Sequence, residues 1–571
     1  MGAIVRDQEK AESSGQKTAP RNSSDGEVLP RDATDEDLQS LPRVVDKVPL
    51  AAWAAALIGA AERFSYYSII SIWQNYMQHE RDFHAVPGAL GLGQSTATSI
   101  SNAFFVFMFL TPMAFGIASD VWLGRYNTLL LGFCLLICGS SVMFVTALPA
   151  LLDRGAGIPG LAVSMLFIGL GVGCVKSTIS PFIGDQYPQG KPRVIQRDGQ
   201  LVVVDGSRTI QFLYNAFYWY VAGRFTNIAS LSSIPATFLE REFDFWTAYL
   251  MAAVSLVLCL VSLVLMKPNF VKVIPQQNIL PKAFRVLVLA ARNGFKIDHA
   301  KPEYQMATHN HHVPWDDAFV DELKRGLIAC RVIFSFAFFY LSITQMYNNL
   351  ISQASQMNLH GVPNDMIQAM AGVACVAFGP PVQALYSWLA RRRIRFGPIA
   401  RITTAFILCS VGMAYAAGLQ RLIYATGPCY DRPLACDYRP EQQSDQTPSG
   451  DGTVAAIPPN DVNVWLQLPV YVILAIAEIF GLVTASEYAY EKAPRGMRSI
   501  VQATVQLSAC LGALLGMAIS PAAKDPYLVA LYAALAGAMG LCAVVFWAVF
   551  RKYDRVDDQL NQLGSERREG Q

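Results

Sequence analysis

The chain has 571 residues, 53% of them hydrophobic and only 15% charged, with a formal net charge of +2. A chain of this size and apolarity is not an ordinary soluble protein, and the lipid bilayer is its expected solvent. The near-neutral charge, with no zinc-type cysteine pairing and no phosphate-loop motif, argues against nucleic-acid binding and points to no cofactor and no metal.

Residues 1–47 are polar, rich in Asp, Glu, Ser and Lys, and contain no apolar run of the kind a signal peptide needs, so they are expected to form a disordered cytosolic tail. Twelve apolar segments follow, near 50–77, 96–118, 127–150, 159–183, 210–233, 246–266, 328–354, 366–390, 399–424, 464–486, 500–521 and 526–550. Each approaches or exceeds the roughly 20 residues that a spanning helix requires. The expected fold is therefore an all-α membrane protein of twelve transmembrane helices in two six-helix bundles, 48–266 and 328–552. A linker over 267–327 separates them, and residues 553–571 form a cytosolic C-terminal tail.

The first span carries GAAERFSYYS, residues 59–68. Gly59, Glu62, Arg63, Tyr66 and Tyr67 share one helix face there, since residues three and four apart are neighbours. Each charge placed mid-span costs roughly 2.5 to 3.5 kcal/mol on insertion scales, so such groups face a partner or a watery cavity. The second span ends in GIASDVWLGRYNTLL, residues 116–130, where Asp120, Gly124 and Arg125 suit a tight turn with an acid beside a base. Lys176 interrupts the fourth span, Arg224 the fifth, and Glu478 and Glu487 the tenth. Unlike charges facing one another across a cavity suit a zwitterion, and buried ionisable groups suit proton transfer; the competing interpretation is that they only pair to hold helices together.

Lys and Arg cluster after the even-numbered spans (Arg125; Lys191, Arg193, Arg197 and Arg208; Lys282 and Arg285; Arg391 and Arg392; Lys492 and Arg495), which places both termini in the cytosol. In the linker, Trp315, Phe319, Leu323 and Leu327 recur at helical spacing, so an amphipathic helix is expected against the bundles. His309, His311 and His312 have no second cluster to complete a metal site and are taken as a solvated loop. Most cysteines stand singly in apolar runs, but Cys429 and Cys436 share a polar loop on the non-cytosolic side, where a disulfide between them is expected to form.

Taken together, AERFSYY (61–67), DVWLGRYNT (120–128), KSTISPFIGDQYP (176–188), QFLYNAFYW (211–219), QMYNNLISQASQMNLHGVPND (345–365) and EIFGLVTASEYAYEKAPRGMRS (478–499) resemble the proton-dependent oligopeptide transporters of the major facilitator superfamily, and the fungal branch in particular. The resemblance implies a plasma-membrane symporter, a monomer, that moves di- or tripeptides or related small zwitterions with protons by alternating access; it implies no enzyme. Arg63, Tyr66, Tyr67, Lys176, Tyr218, Gln345 and Glu478 would then bind substrate, with Glu62, Lys176 and Glu478 handling the proton and Asp120, Gly124 and Arg125 forming the turn motif. The sequence departs from the family pattern at Gly59, where the family carries a glutamate, and at Ser68, Ala222 and Thr344. Those departures keep two alternatives open: a diverged carrier for a modified peptide, a nitrogenous metabolite or nitrate, uncoupled or exporting, and a nutrient receptor that does not transport.

Overall fold

The computed structural model describes residues 31–569 apart from 35–36, 38–40, 82–85, 188–191, 198–199, 205–208, 210–228, 230, 273–279, 293–295, 311, 393, 395, 436–459, 486–487 and 489–497. Among the described residues nine helices are long and apolar enough to cross a membrane. The chain divides into two compact units, Met1–Lys47 with Pro188–Gln211, and Val48–Tyr187 with Phe212–Gln571.

In the second unit, α1 (Leu50–Gln78) is the polar-striped first helix, with 29 residues. It is followed by α2 (Gln94–Ala118), which ends in a π turn over Ser119–Leu123, then α3 (Arg125–Thr146) and α4 (Gly157–Asp185). α5 (Ser233–Phe243) and α6 (Phe245–Leu265) complete the described part of the N-terminal bundle. Small residues let α3 and α4 touch: a Cβ at Gly171 would sit 2.8 Å from the Gly132 carbonyl oxygen, and one at Gly132 would sit 2.8 Å from Cys174 Cβ. The bundle's buried core runs from Ala55 and Trp73 through Phe133 and Phe182 to Tyr249.

The linker contributes α7 (Leu280–Arg292) and α8 (Asp317–Phe334). Leu323 is fully buried against Ala283, Val286 and Ala300, with Trp315, Phe319 and Leu327 around it. Trp315 Nε1 donates to the Ala300 carbonyl at 2.9 Å, and Lys324–Asp298 (2.7 Å) and Lys301–Asp321 (2.9 Å) ion pairs cover the outside. The stripe of apolar residues thus finds its partner within the linker itself.

The expected seventh span, 328–354, is not one continuous helix. α9 (Phe336–Ile343) gives way to a 3-10 turn over Thr344–Tyr347, and α10 (Asn349–Ala354) starts afresh. The break lies at Asn348, whose φ and ψ of −141° and −87° are not helical and whose side chain accepts from the Asn349 amide at 2.6 Å. An asparagine that satisfies the backbone with its own side chain offers the chain a way out of the helix. α11 (Ala369–Arg391), α12 (Pro398–Ala425), α13 (Leu468–Glu478), α14 (Arg498–Ile519) and α15 (Leu528–Glu569) complete the C-terminal bundle around Phe339, Phe406, Tyr471 and Phe546. A π turn over Ile479–Val483 follows Glu478 directly.

The first unit differs from the expected disordered tail. Arg31–Asp32 and Arg43–Val44 are strands that flank the hairpin Arg193–Arg197/Gln200–Val204 in a four-stranded sheet. Arg197 pairs with Gln200, and the sequence between them, Asp-Gly, is of a kind suited to a tight turn. Parallel pairing of Arg43–Val44 with Val203–Val204, and a bidentate Arg31–Asp37 pair at 2.7 and 2.8 Å, hold residues 31–47 in place. Residues 1–30 lie outside the described set.

Candidate functional site

The apolar bundles meet around a cavity lined by Tyr67 of α1 and Ser233 of α5 on one side. Met346 and Tyr347 of the broken seventh span, Gln368, Ala369, Ala371, Gly372 and Cys375 of α11 and its lead-in, and Glu478 of α13 line the other. Glu478 is the acid in this lining, and Tyr67 and Tyr347 bring hydroxyls into it. The π turn that begins at Ile479 alters the helical register immediately after Glu478, a kind of irregularity often found where a helix serves a site.

Behind Tyr67 lies the charged wall of the N-terminal bundle. Glu62 is almost fully buried, with Oε2 3.5 Å from Arg63 Nε, and its Oε1 accepts no hydrogen bond among the described residues. Lys176 projects from α4 toward the same place: Nζ lies 3.6 Å from Met108 Sδ, 4.8 Å from the Phe109 ring centroid and 5.8 Å from that of Tyr66. Two cations thus stand beside one anion, and among the described residues no ion pair within 4.0 Å fixes Lys176. Aromatic faces and a thioether hold the ammonium without cancelling its charge. By formal charge this wall has one more cation than anion, and Glu478 lines the far side of the neighbouring cavity.

The expected site residues separate into groups. Tyr67 and Glu478 line the cavity, while Glu62, Arg63 and Lys176 form the cationic wall beside it. Tyr66 turns away, donating its hydroxyl to Met108 Sδ at 3.1 Å, so it supports the wall and does not line this cavity. Gln345 also stays out: its amide donates to the Leu341 carbonyl at 2.9 Å and accepts from Asn349 at 2.7 Å. Tyr218 lies outside the described residues. In the turn motif Gly124 takes the positive φ of 74° that favours glycine, and Arg125 pairs with Asp185 at 2.5 Å more closely than with Asp120 at 4.0 Å. Cys429 is disulfide-bonded, and Cys436 lies outside the described residues.

Sequence reasoning passed over Tyr347, Gln368, Cys375 and Ser233. Tyr347 was within reach, as a hydroxyl aromatic at the polar break QMYNN; the others look like ordinary helix residues until the bundles are assembled.

At the end of the bundles opposite the linker, uncharged polar groups meet across the seam between them. Asn75 of α1 and Asn364, just before α11, exchange amide hydrogen bonds at 2.8 Å in both directions. Gln94 and Thr98 of α2 donate to Asn349 at 3.2 and 3.0 Å, and Ser95 donates to the Ser520 carbonyl at 2.7 Å.

The chain matches the family model described as the POT family over residues 126–539. It is 37% identical to the Candidozyma auris peptide transporter PTR_C, over 94% of this chain and 90% of that protein. It is 36% identical to the Schizosaccharomyces pombe probable peptide transporter ptr2, over 94% and 83% respectively. The Aspergillus flavus peptide transporter imqD is 49% identical over a shorter alignment, 51% of this chain and 68% of that protein. In fold it is similar to the POT family transporter PepTSo, with a TM-score of 0.68 at 18% identity over 90% of this chain and 99% of that one. It is also similar to a POT family transporter in complex with 5-aminolevulinic acid, with a TM-score of 0.61 at 18% identity over 90% and 99%.

Proposed function

From the premise that this chain belongs to the POT family, an integral multi-pass membrane protein with the fold of its transporters, we propose that it carries di- or tripeptides or related small zwitterions together with protons. The observation that carries the proposal is the polarity of the central cavity. Beside its N-terminal side, behind Tyr67, stand two cations and one acid, and its C-terminal side presents Glu478. A peptide carboxylate toward Arg63 and Lys176, with its ammonium at Glu478, satisfies both walls at once. A neutral or singly charged solute leaves one of them without a partner.

Protons have two places to act in this arrangement, Glu62 between its cations and Glu478 across the cavity. Rocking of the two bundles about the cavity exposes it to each side in turn. The clustering of Lys and Arg after even-numbered spans supports cytosolic termini, and the disulfide at Cys429 supports an oxidising environment for the opposite face. We assign the polar seam to that outer face, the protein to the plasma membrane, and the working unit to a monomer. The bundles correspond to 48–266 and 328–552, joined by the 267–327 linker.

Purified protein in liposomes tests the proposal. Saturable uptake of dipeptide that grows when the outside is made more acidic supports it. No uptake or counterflow of any member of a broad dipeptide panel refutes it.

A further inference from the structure

At the outer seam, beside the Asn75–Asn364 amide pair, two carboxyls meet across the bundles. Glu240 comes from α5 of the N-terminal bundle, and Asp365 precedes α11 of the C-terminal one. Their exposures are only 2% and 1%, and each lies within hydrogen-bonding contact of the other. Glu240 Oε1 accepts from Asn75 Nδ2 at 3.1 Å. Glu240 Oε2 and both oxygens of Asp365 have no well-formed hydrogen bond among the described residues, Asp365's own backbone amide being the donor close to its carboxyl. Two carboxylates have only acceptors to offer one another, so this contact is favourable when a proton sits between them and repulsive when none does.

The groups around the pair do not replace that proton. Asp244 adds a further negative charge near Glu240, while Tyr249 faces it from α6 with Tyr76 of α1 packed edge-on against that ring, and Tyr471 faces Asp365 from α13. The nearby cations are engaged elsewhere: Arg81 pairs with Asp153 at 2.6 Å and reaches Asp244 at 3.9 Å, and Arg241 donates to the Gly361 carbonyl.

We propose that Glu240 and Asp365 form a proton-binding site that latches the outer seam, separate from the charged residues around the central cavity. With the seam open, both carboxylates are in water and one proton from the outer solution binds. As the bundles close, that proton is shared as an O–H···O bond from one carboxyl to the other. When it leaves, the two negative charges drive the seam apart. Both residues stand outside the nine apolar spans, and burial first, with the facing carboxyl second, holds the Glu240 carboxyl well above the ordinary carboxylate range. The latch therefore closes at low pH and is lost as pH rises through that elevated value. Outer acidity thereby favours the inward-facing state even with glycine at position 59.

The inference rests on the transporter reading only for its consequence. Its test measures conformation in the full chain. Spin labels at R154C and K524C, exposed positions at this end of opposite bundles, report the seam width by dipolar spectroscopy once C134S, C138S, C375S and C542S remove the exposed and partly exposed free thiols among the described residues. The expected result is a short distance at about pH 5 that shifts to a longer population by about pH 8. E240Q and D365N, each supplying an amide donor in place of the proton, keep the short distance at both. A distance that does not change with pH in the parent overturns the proposal, as does the parent's full shift persisting in both variants. Failure of peptide uptake leaves this measurement standing, and a pH-insensitive distance leaves the uptake experiment standing.

Discussion

Replacing Glu478 by glutamine keeps the shape of the cavity and removes its acidic pole. The carboxylate lines the cavity from α13, immediately before a π turn, with Tyr67, Tyr347 and Cys375 also in the lining. A substrate ammonium seated there makes a charge-assisted hydrogen bond, a class of contact that contributes about 1.5 to 3 kcal/mol. Its loss corresponds to about a 10- to 150-fold weaker binding. The comparison that isolates this contact is between a dipeptide and its N-acetylated form, measured by calorimetry or by ligand-dependent thermal shift on the purified transporter. The parent should prefer the free amine by about that factor, and E478Q should bind the two forms within about 3-fold of each other. If E478Q weakens the free and the acetylated peptide equally, the ammonium does not sit at Glu478 and the assigned polarity of the cavity is wrong.

The opposite pole is tested by K176Q, which reduces the wall to the Glu62–Arg63 pair. Discrimination between a free and an amidated peptide C-terminus should fall about 10-fold or more, and discrimination at the N-terminus should remain. In the C-terminal bundle Gln353 is fully buried, donates to Gln420 at 2.9 Å and to the Ala416 carbonyl at 3.1 Å, and accepts from Gln467 at 3.0 Å. Q353A leaves those partners short of a bond and should cost about 1 to 3 kcal/mol, seen as a lower thermal midpoint in detergent; an unchanged midpoint contradicts the network's role. L323A empties the centre of the linker core and should cost that small unit about 2 to 5 kcal/mol, read as faster proteolytic nicking over residues 280–327 at undiminished substrate binding.

Wherever burial alone decides the structure, the sequence displays it. α1, α4 and α12 occupy 50–78, 157–185 and 398–425 against expectations of 50–77, 159–183 and 399–424, because a bilayer demands long apolar runs and the chain supplies them. Tyr67 and Glu478 were likewise visible, as polar residues that an apolar helix has no reason to carry. Partner choice was hidden. Nothing in the run GIASDVWLGRYN says that Arg125 binds Asp185, which lies 60 residues onward, more closely than Asp120. The interruption at Asn348 depended on a side chain competing with its own backbone, and hydropathy does not register that contest. The tail's strands escaped notice because two-residue strands carry no periodicity; their partners, Arg193–Arg197 and Gln200–Val204, lie far along the chain.

The first-span stripe acquires its meaning from Gly59. An acid there would add a second carboxylate to the face that bears Glu62 and Arg63, and with Lys176 the wall would then hold two anions and two cations. With glycine there the wall has, by formal charge, two basic side chains and one acidic one. Such an imbalance strengthens the attraction for a substrate carboxylate, since a cation with no anion of its own has none to surrender on binding. It also withdraws one proton acceptor from the cavity. A carrier built this way binds its anionic end firmly and has less capacity for protons at the centre, so pH control has to come from Glu62, from Glu478, or from carboxyls elsewhere. G59E separates these contributions: it should weaken binding of free-carboxylate peptides while adding a second pH-dependent step to uptake. Stronger carboxylate binding in that variant contradicts the charge argument.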